Sequence, residues 1–191
     1  MGRALIRLSA LTILGALGSA ASADSVDQDN SNTNPGNGFA NLNPNNDLRQ
    51  TFIPTQSNIS GASIYLGSYW GDDTVSISIW NSDPYYGGSP VAGASGSQFG
   101  THPGWVDVSW SPVGITPGNT YYMLVQGTGP GVANFSNGYN SYGNGTVYFQ
   151  GTDYGQYGYD LAFKTWYAVP APGSAAVLGL GGLVASRRRR A

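Results

Sequence analysis

The chain has no cysteine. A disulfide framework, a thiolate nucleophile and a cysteine-held zinc site are therefore excluded. Glutamate is absent too, and all ten acidic residues are aspartates, lying between Asp24 and Asp160. Histidine occurs once, as His102 in Gly100-Thr101-His102-Pro103-Gly104, where the Pro-Gly turn marks a loop. Cations are scarce in the middle of the chain. Only Arg49 and Lys164 stand between the first aspartate and the C-terminal arginines, so this region carries a net charge of −8. That balance argues against nucleic acid and anionic lipid as partners of the region, because both are held by Lys and Arg. Helical periodicity is missing from residues 47–167 as well.

These absences leave little for catalysis. A glycosidase needs two carboxylates flanking a scissile bond, and aspartates alone would have to supply them. Asp72-Asp73 falls in a Gly-Asp-Asp turn, an ordinary place for Asp. Ser95, in Gly93-Ala94-Ser95-Gly96-Ser97, lacks the G-x-S-x-G elbow and its strand–turn–helix setting. The expectation is a protein that is not an enzyme.

The two ends are more informative. Arg3 and Arg7 precede a short apolar core, Leu8 to Leu17, and Ala21-Ser22-Ala23 supplies small residues at the positions a signal peptidase reads. Residues 1–23 read as a secretory signal peptide cut after Ala23. At the other end, Ala168 to Ser186 is nineteen uncharged residues, followed by Arg187, Arg188, Arg189 and Arg190. As a helix such a run spans roughly 28 Å, about the thickness of a hydrocarbon core. The arginines should stay on the cytoplasmic side and halt transfer. Residues 168–191 are thus expected to form a transmembrane-like helix with the rest of the chain outside the cytoplasm.

The residues between fall into two parts. Residues 24–46 are rich in Asp, Asn, Ser and Gly, and read as a disordered or loosely packed polar leader. Asp27-Gln28-Asp29-Asn30-Ser31 faintly matches a calcium loop, but Asn32 and Gly38 stand where an EF-hand needs Gly and Glu. From residue 47 to 167 the period becomes two. Val75, Ile77 and Ile79 alternate with Ser76, Ser78 and Trp80, and Val106, Val108 and Trp110 alternate with Asp107 and Ser109. Tyr121 to Val125 is apolar on both faces and should be central. Leu161, Phe163 and Tyr167 share a side. Further strands are expected at 48–53, 62–66, 97–99, 133–135 and 146–149, with Gly and Pro turns between them. About nine short strands predict an all-β, single β-sandwich of jelly-roll or Greek-key type.

Binding is read from aromatics set in polar loops. Tyr69-Trp70, Tyr85-Tyr86, Tyr139 and Tyr142 lie among Gly, Asn and Asp. Sugar rings lay their C–H faces on aromatic rings while amides and carboxylates take their hydroxyls. These residues are the candidate glycan contacts, although tyrosines in long loops also serve as packing.

Two resemblances add to this reading. Val169-Pro170-Ala171-Pro172, the apolar run and the arginine cluster together resemble the PEP-CTERM sorting signal of bacterial surface proteins, with Ala171 where that family usually has Glu. The resemblance covers about the last 22 residues and implies processing by an exosortase-type enzyme at the cell surface. Gly104-Trp105-Val106-Asp107-Val108-Ser109-Trp110, the Pro117-Gly118 turn before Tyr121-Tyr122, and Asp160 to Thr165 are similar to the β-sandwich domains of anchored bacterial surface proteins, and through them to jelly-roll carbohydrate-binding modules. That likeness implies a structural calcium ion near the first and last strands, which by position points to Asp47 and Asp160. The expected function is an exported, surface-anchored, non-enzymatic protein associated with the extracellular polysaccharide matrix of a biofilm. A carbohydrate-binding module with a defined glycan and a small Asp-dependent hydrolase are the alternatives.

Overall fold

The computed structural model describes residues 23–31, 39–42, 47–67, 71–129, 132–134 and 142–169. Among them are twelve strands: β1 (Ala23–Asn30), β2 (Phe39–Asn41), β3 (Leu48–Phe52), β4 (Asn58–Leu66), β5 (Asp73–Trp80), β6 (Pro90–Gly100), β7 (Gly104–Gly114), β8 (Tyr121–Gly127), β9 (Val132–Asn134), β10 (Val147–Phe149), β11 (Thr152–Asp153) and β12 (Phe163–Val169). They form two six-stranded antiparallel sheets. Sheet I runs β1-β12-β4-β9-β2 with β7 on the other edge of β4, and sheet II runs β11-β10-β3-β8-β5-β6.

The alternation of the sequence sets the faces. Val75, Ile77 and Ile79 of β5, and Tyr121, Met123 and Val125 of β8, point inward from sheet II. Val106, Val108, Ala62, Ile64 and Phe163 point inward from sheet I. All belong to one apolar cluster between the sheets, so the architecture is a β-sandwich. Each fully buried side chain of this size stabilises the fold by about 1.5–3 kcal/mol. Strand β8 lies between β3 and β5, the central place its apolar composition predicts.

The polar leader is a correction. Residues 23–30 are not disordered: they form β1, paired along β12 from Ala23↔Val169 to Asn30↔Phe163. Its buried positions are filled by amides. The Gln28 backbone N–H donates to Thr165 Oγ1 at 3.2 Å while its side-chain Oε1 accepts from the Tyr142 hydroxyl at 2.7 Å, and Asn30 Nδ2 donates to the Leu161 carbonyl at 2.6 Å. Hydrogen bonds here replace the apolar contacts that a sequence pattern detects. Asp24 and Asp29 face solvent on this outermost strand, where charge discourages pairing with another chain. Further along the leader, Ala40 and Leu42 are buried in the core. The compact unit accordingly runs Ala23–Val169, not 47–167.

Candidate functional site

The outer face of sheet II carries the exposed rings of Tyr85 and Tyr86 and the half-buried rings of Trp80, Tyr122 and Tyr148. In register across the strands lie Ser78, Leu124, Arg49 and Tyr148, and beside them Trp80, Tyr122 and Thr51. A strand arginine on the outer face would ordinarily reach water. Arg49 does not: it is 1% exposed. The β5–β6 connection folds back over it. Its guanidinium lies 5.1 Å from the Tyr85 ring centre and 4.7 Å from that of Tyr148, a cation enclosed by two aromatic faces. Asp47 pairs with Nη1, and Asp83 approaches from the other side, with Oδ1 2.8 Å from Nε, off the N–H axis, and Oδ2 accepting from Nη2 at 3.3 Å.

The loop that closes this clamp is held by its own sequence. Asp83 Oδ1 accepts from the Tyr85 amide at 3.0 Å, so it caps the short 3₁₀ turn Pro84–Tyr86. Pro84 sets the first φ of that turn. Gly87, at φ 78°, ends it in the left-handed region, where a Cβ is costly. Gly151 answers a second demand. It has φ +76°, and a Cβ there would stand 3.0 Å from Tyr85 Cζ. Its amide also donates to Asp47 Oδ2 at 3.0 Å. The result displays Tyr85 and Tyr86, 54% and 77% exposed, edge to face at 5.1 Å between ring centres. Burial pushes the Tyr122 and Tyr148 hydroxyls above their usual range, so both are neutral donors at ordinary pH. The arrangement offers flat aromatic surface and neutral hydroxyls, with its one cation sealed in.

The other expected residues part company. Tyr142 is a correction: it is 7% exposed and belongs to the core. Its ring meets Phe163 at 4.9 Å, and its hydroxyl donates to Gln28 Oε1 at 2.7 Å and accepts from the Ile53 amide. Burial raises it to about 12. Asp160 is fully buried, with Oδ1 accepting from Gln50 Nε2 at 3.0 Å and Oδ2 from the Tyr142 amide at 3.1 Å. Burial lifts its pKa, and these two hydrogen bonds oppose the rise. Asp47 is committed to Arg49 and Gly151 instead. The structure thus gives Asp47 and Asp160 separate protein donors, and among the described residues no group of three or more His, Cys, Asp or Glu is placed to hold a metal ion. Ala23 opens β1 and Val169 closes β12. Tyr69, Trp70, Tyr139, Ala21, Pro170, Ala171, Pro172 and Arg187 to Arg190 lie outside the described residues. Among the described residues no helix is long and apolar enough to cross a membrane.

His102 sits across the length of β5 from the tyrosine loop. Its amide and its Nδ1 both approach Asp72 Oδ1, at 3.0 and 2.7 Å, and these contacts, led by the amide, hold the Asp72 carboxyl below its usual range. The pair is well exposed, at 34% and 44%, and among the described residues no hydroxyl is bonded to the other ring nitrogen. Sequence reasoning missed Arg49, Asp83, Tyr122 and Trp80 as parts of this face, while Tyr148 belongs to the tyrosine-rich stretch 137–159 that the sequence marks for binding. The available signal was a lone arginine on a strand, with Asp-Pro-Tyr-Tyr-Gly-Gly able to fold over it. No family model and no curated protein sequence matches the chain.

Proposed function

We propose that the chain is an exported surface protein, held by its C-terminal tail, whose non-catalytic β-sandwich contacts extracellular polysaccharide. The observation that carries the polysaccharide contact is the exposed Tyr85–Tyr86 pair on its braced loop. Rigid aromatic side chains give contact area at low entropic cost, and here the capped turn and the Arg49 clamp fix them before a ligand arrives. The charge of the region disfavours a polyanion. Anchorage draws on the sequence, from the signal-like start, the apolar run and the four arginines. It is supported by the pairing of Asp24 with Ala168, which brings the two ends of the β-unit that remain after cleavage side by side. The resemblance of the tail to the PEP-CTERM signal adds an exosortase-type enzyme as processing partner. The non-catalytic reading is supported by the engagement of Asp47, Asp73, Asp83 and Asp160 with protein donors.

The second reading is a jelly-roll carbohydrate-binding module with one defined glycan. It is favoured by Trp80, Tyr122 and Tyr148 continuing the aromatic surface across sheet II.

Fractionation tests the anchorage. Wild type should be found with the membrane and be open to protease added to intact cells. Replacing Arg187 to Arg190 with Ser should release it to the medium or periplasm. Replacing Pro170 and Pro172 with Ala should leave a longer, membrane-held form. Wild-type protein recovered in the cytoplasm would overturn the proposal, and identical mass and fractionation of wild type and the Pro variant would remove the sorting step.

A further inference from the structure

Sheet I carries a concavity on its outer face, remote in sequence from the tyrosine loop. It holds about 200 Å³ and is lined by Asp24, Ser60, Gly61, Asp107, Ser109 and Trp166. Trp166, Gly61 and Ser109 are register partners across β12, β4 and β7. Because residue 61 has no side chain, the indole can lie across β4. A Cβ on Gly61 would be 3.4 Å from Trp166 Cδ1 and 2.7 Å from the Val108 carbonyl oxygen. The indole Nε1 reaches along the strand and donates to Ser63 Oγ at 2.6 Å. The ring is half-buried, with its free surface in the groove.

Two exposed carboxylates flank the ring. Asp24 comes from β1 and accepts from Ser60 Oγ at 2.8 Å, and Asp107 comes from β7. Among the described residues neither lies within ion-pair distance of a Lys, Arg or His. The β-unit has two basic side chains. Arg49 is held by Asp47 and Asp83, and Lys164 places its ammonium 4.5 Å over the Trp105 ring. With residue 23 still attached, the groove combines an aromatic surface, the exposed Ser109 hydroxyl and two carboxylates that have no Lys, Arg or His ion-pair partner among the described residues, in a region of net charge −8.

We propose that this groove binds a single pyranose ring carrying a protonated amine, a hexosamine unit without its N-acetyl group. The ring's C–H face lies on the indole, the ammonium pairs with Asp107 and Asp24, and the exposed Ser109 takes a hydroxyl. Charge-assisted hydrogen bonds and an ammonium near an indole are both favourable. A uronate in the same place would meet two like charges. The inference rests on the polysaccharide reading and names a ligand class within it.

The full-length chain is made cell-free and kept in detergent micelles, so that Asp24 carries a peptide amide and no competing ammonium. It is titrated calorimetrically with short β-linked glucosamine oligomers, their N-acetylated counterparts, a uronate oligomer and a lysine oligomer. Glucosamine should bind at least about tenfold more tightly than the other three. Asp107→Asn, an exposed and conservative change, and Trp166→Ala should each weaken it by about tenfold or more, and added salt should weaken it further. Tyr85→Ala/Tyr86→Ala should leave it unchanged. Equal binding of the N-acetylated, uronate or lysine oligomer overturns the proposal, as does an Asp107→Asn protein that binds like wild type. If glycans bind but only the Tyr85/Tyr86 variant loses them, the groove fails and the polysaccharide reading stands. If no glycan binds, both fail.

Discussion

Removing Arg49 would test how the tyrosine loop is held. In Arg49→Ala, Asp47 and Asp83 lose their shared cation, and Tyr85 and Tyr148 lose the group between them. Breaking a buried ion pair from one side costs about 3–5 kcal/mol. Both carboxylates keep some contact with water, at 21% and 16% exposure, so the lower end, about 3 kcal/mol, applies. Two ring contacts add about 0.5 kcal/mol each, for a total of about 4 kcal/mol. In a chain of this size that lowers Tm by about 8–16 °C. Arg49→Lys keeps the charge but cannot lie flat between two rings, and should cost about 1–2 kcal/mol. Thermal melts followed by circular dichroism give both values. Near-ultraviolet dichroism should also weaken as Tyr85 and Tyr148 lose their fixed environment. An Arg49→Ala protein within about 1 kcal/mol of wild type would mean that the guanidinium is not enclosed, and the account of the braced loop would fail.

Phe163→Ala, emptying a fully buried site against Tyr142, should cost about 3–5 kcal/mol in chemical denaturation; a cost below about 1 kcal/mol would place the ring outside the core. Tyr142, raised in the folded state to about 12 from its ordinary 10, contributes stability that is complete below pH 10 and is lost as pH rises toward 12. Tyr142→Phe should therefore show a shallower loss of stability across that window than wild type, and parallel curves would contradict the burial of the hydroxyl. Because Asp47 and Asp160 are bound by protein donors, a chelator should leave the melting curve unchanged; a fall in Tm that Asp160→Ala abolishes would restore calcium to the account.

The inward faces of β5 from Val75 to Ile79 and of β7 at Val106 and Val108 were legible because apolar residues fill those positions. Val75, Ile77 and Ile79 could be assigned by period two without knowing their partners. Strand β1 was illegible for the converse reason. Gln28 and Asn30 are buried through bonds to residues 137 and 131 positions away, and no local pattern encodes such partners. The tyrosines divide on the same ground. Tyr85 and Tyr142 both sit among glycines and polar residues. Tyr85 is pinned in view by a neighbouring cap, whereas Tyr142 is drawn inward by Gln28 and Phe163. Local chemistry marked both as candidates, and only the long-range contacts separate them. Arg49 was hidden because alternation places it outward, which for arginine reads as solvent, and the turn that covers it starts at Pro84, 32 residues after β3 ends at Phe52 — a distance that strand periodicity does not cross.

Binding of extracellular polysaccharide by an uncatalytic sandwich is tested most directly on a glycan array, probed with the full-length chain in detergent and with Tyr85→Ala/Tyr86→Ala, and followed by mass analysis of the retained glycans. Wild type should be retained on at least one polysaccharide class, the variant should lose part or all of that retention, and the glycans should keep their length. No retention by wild type, or glycans shortened by it, would contradict the account.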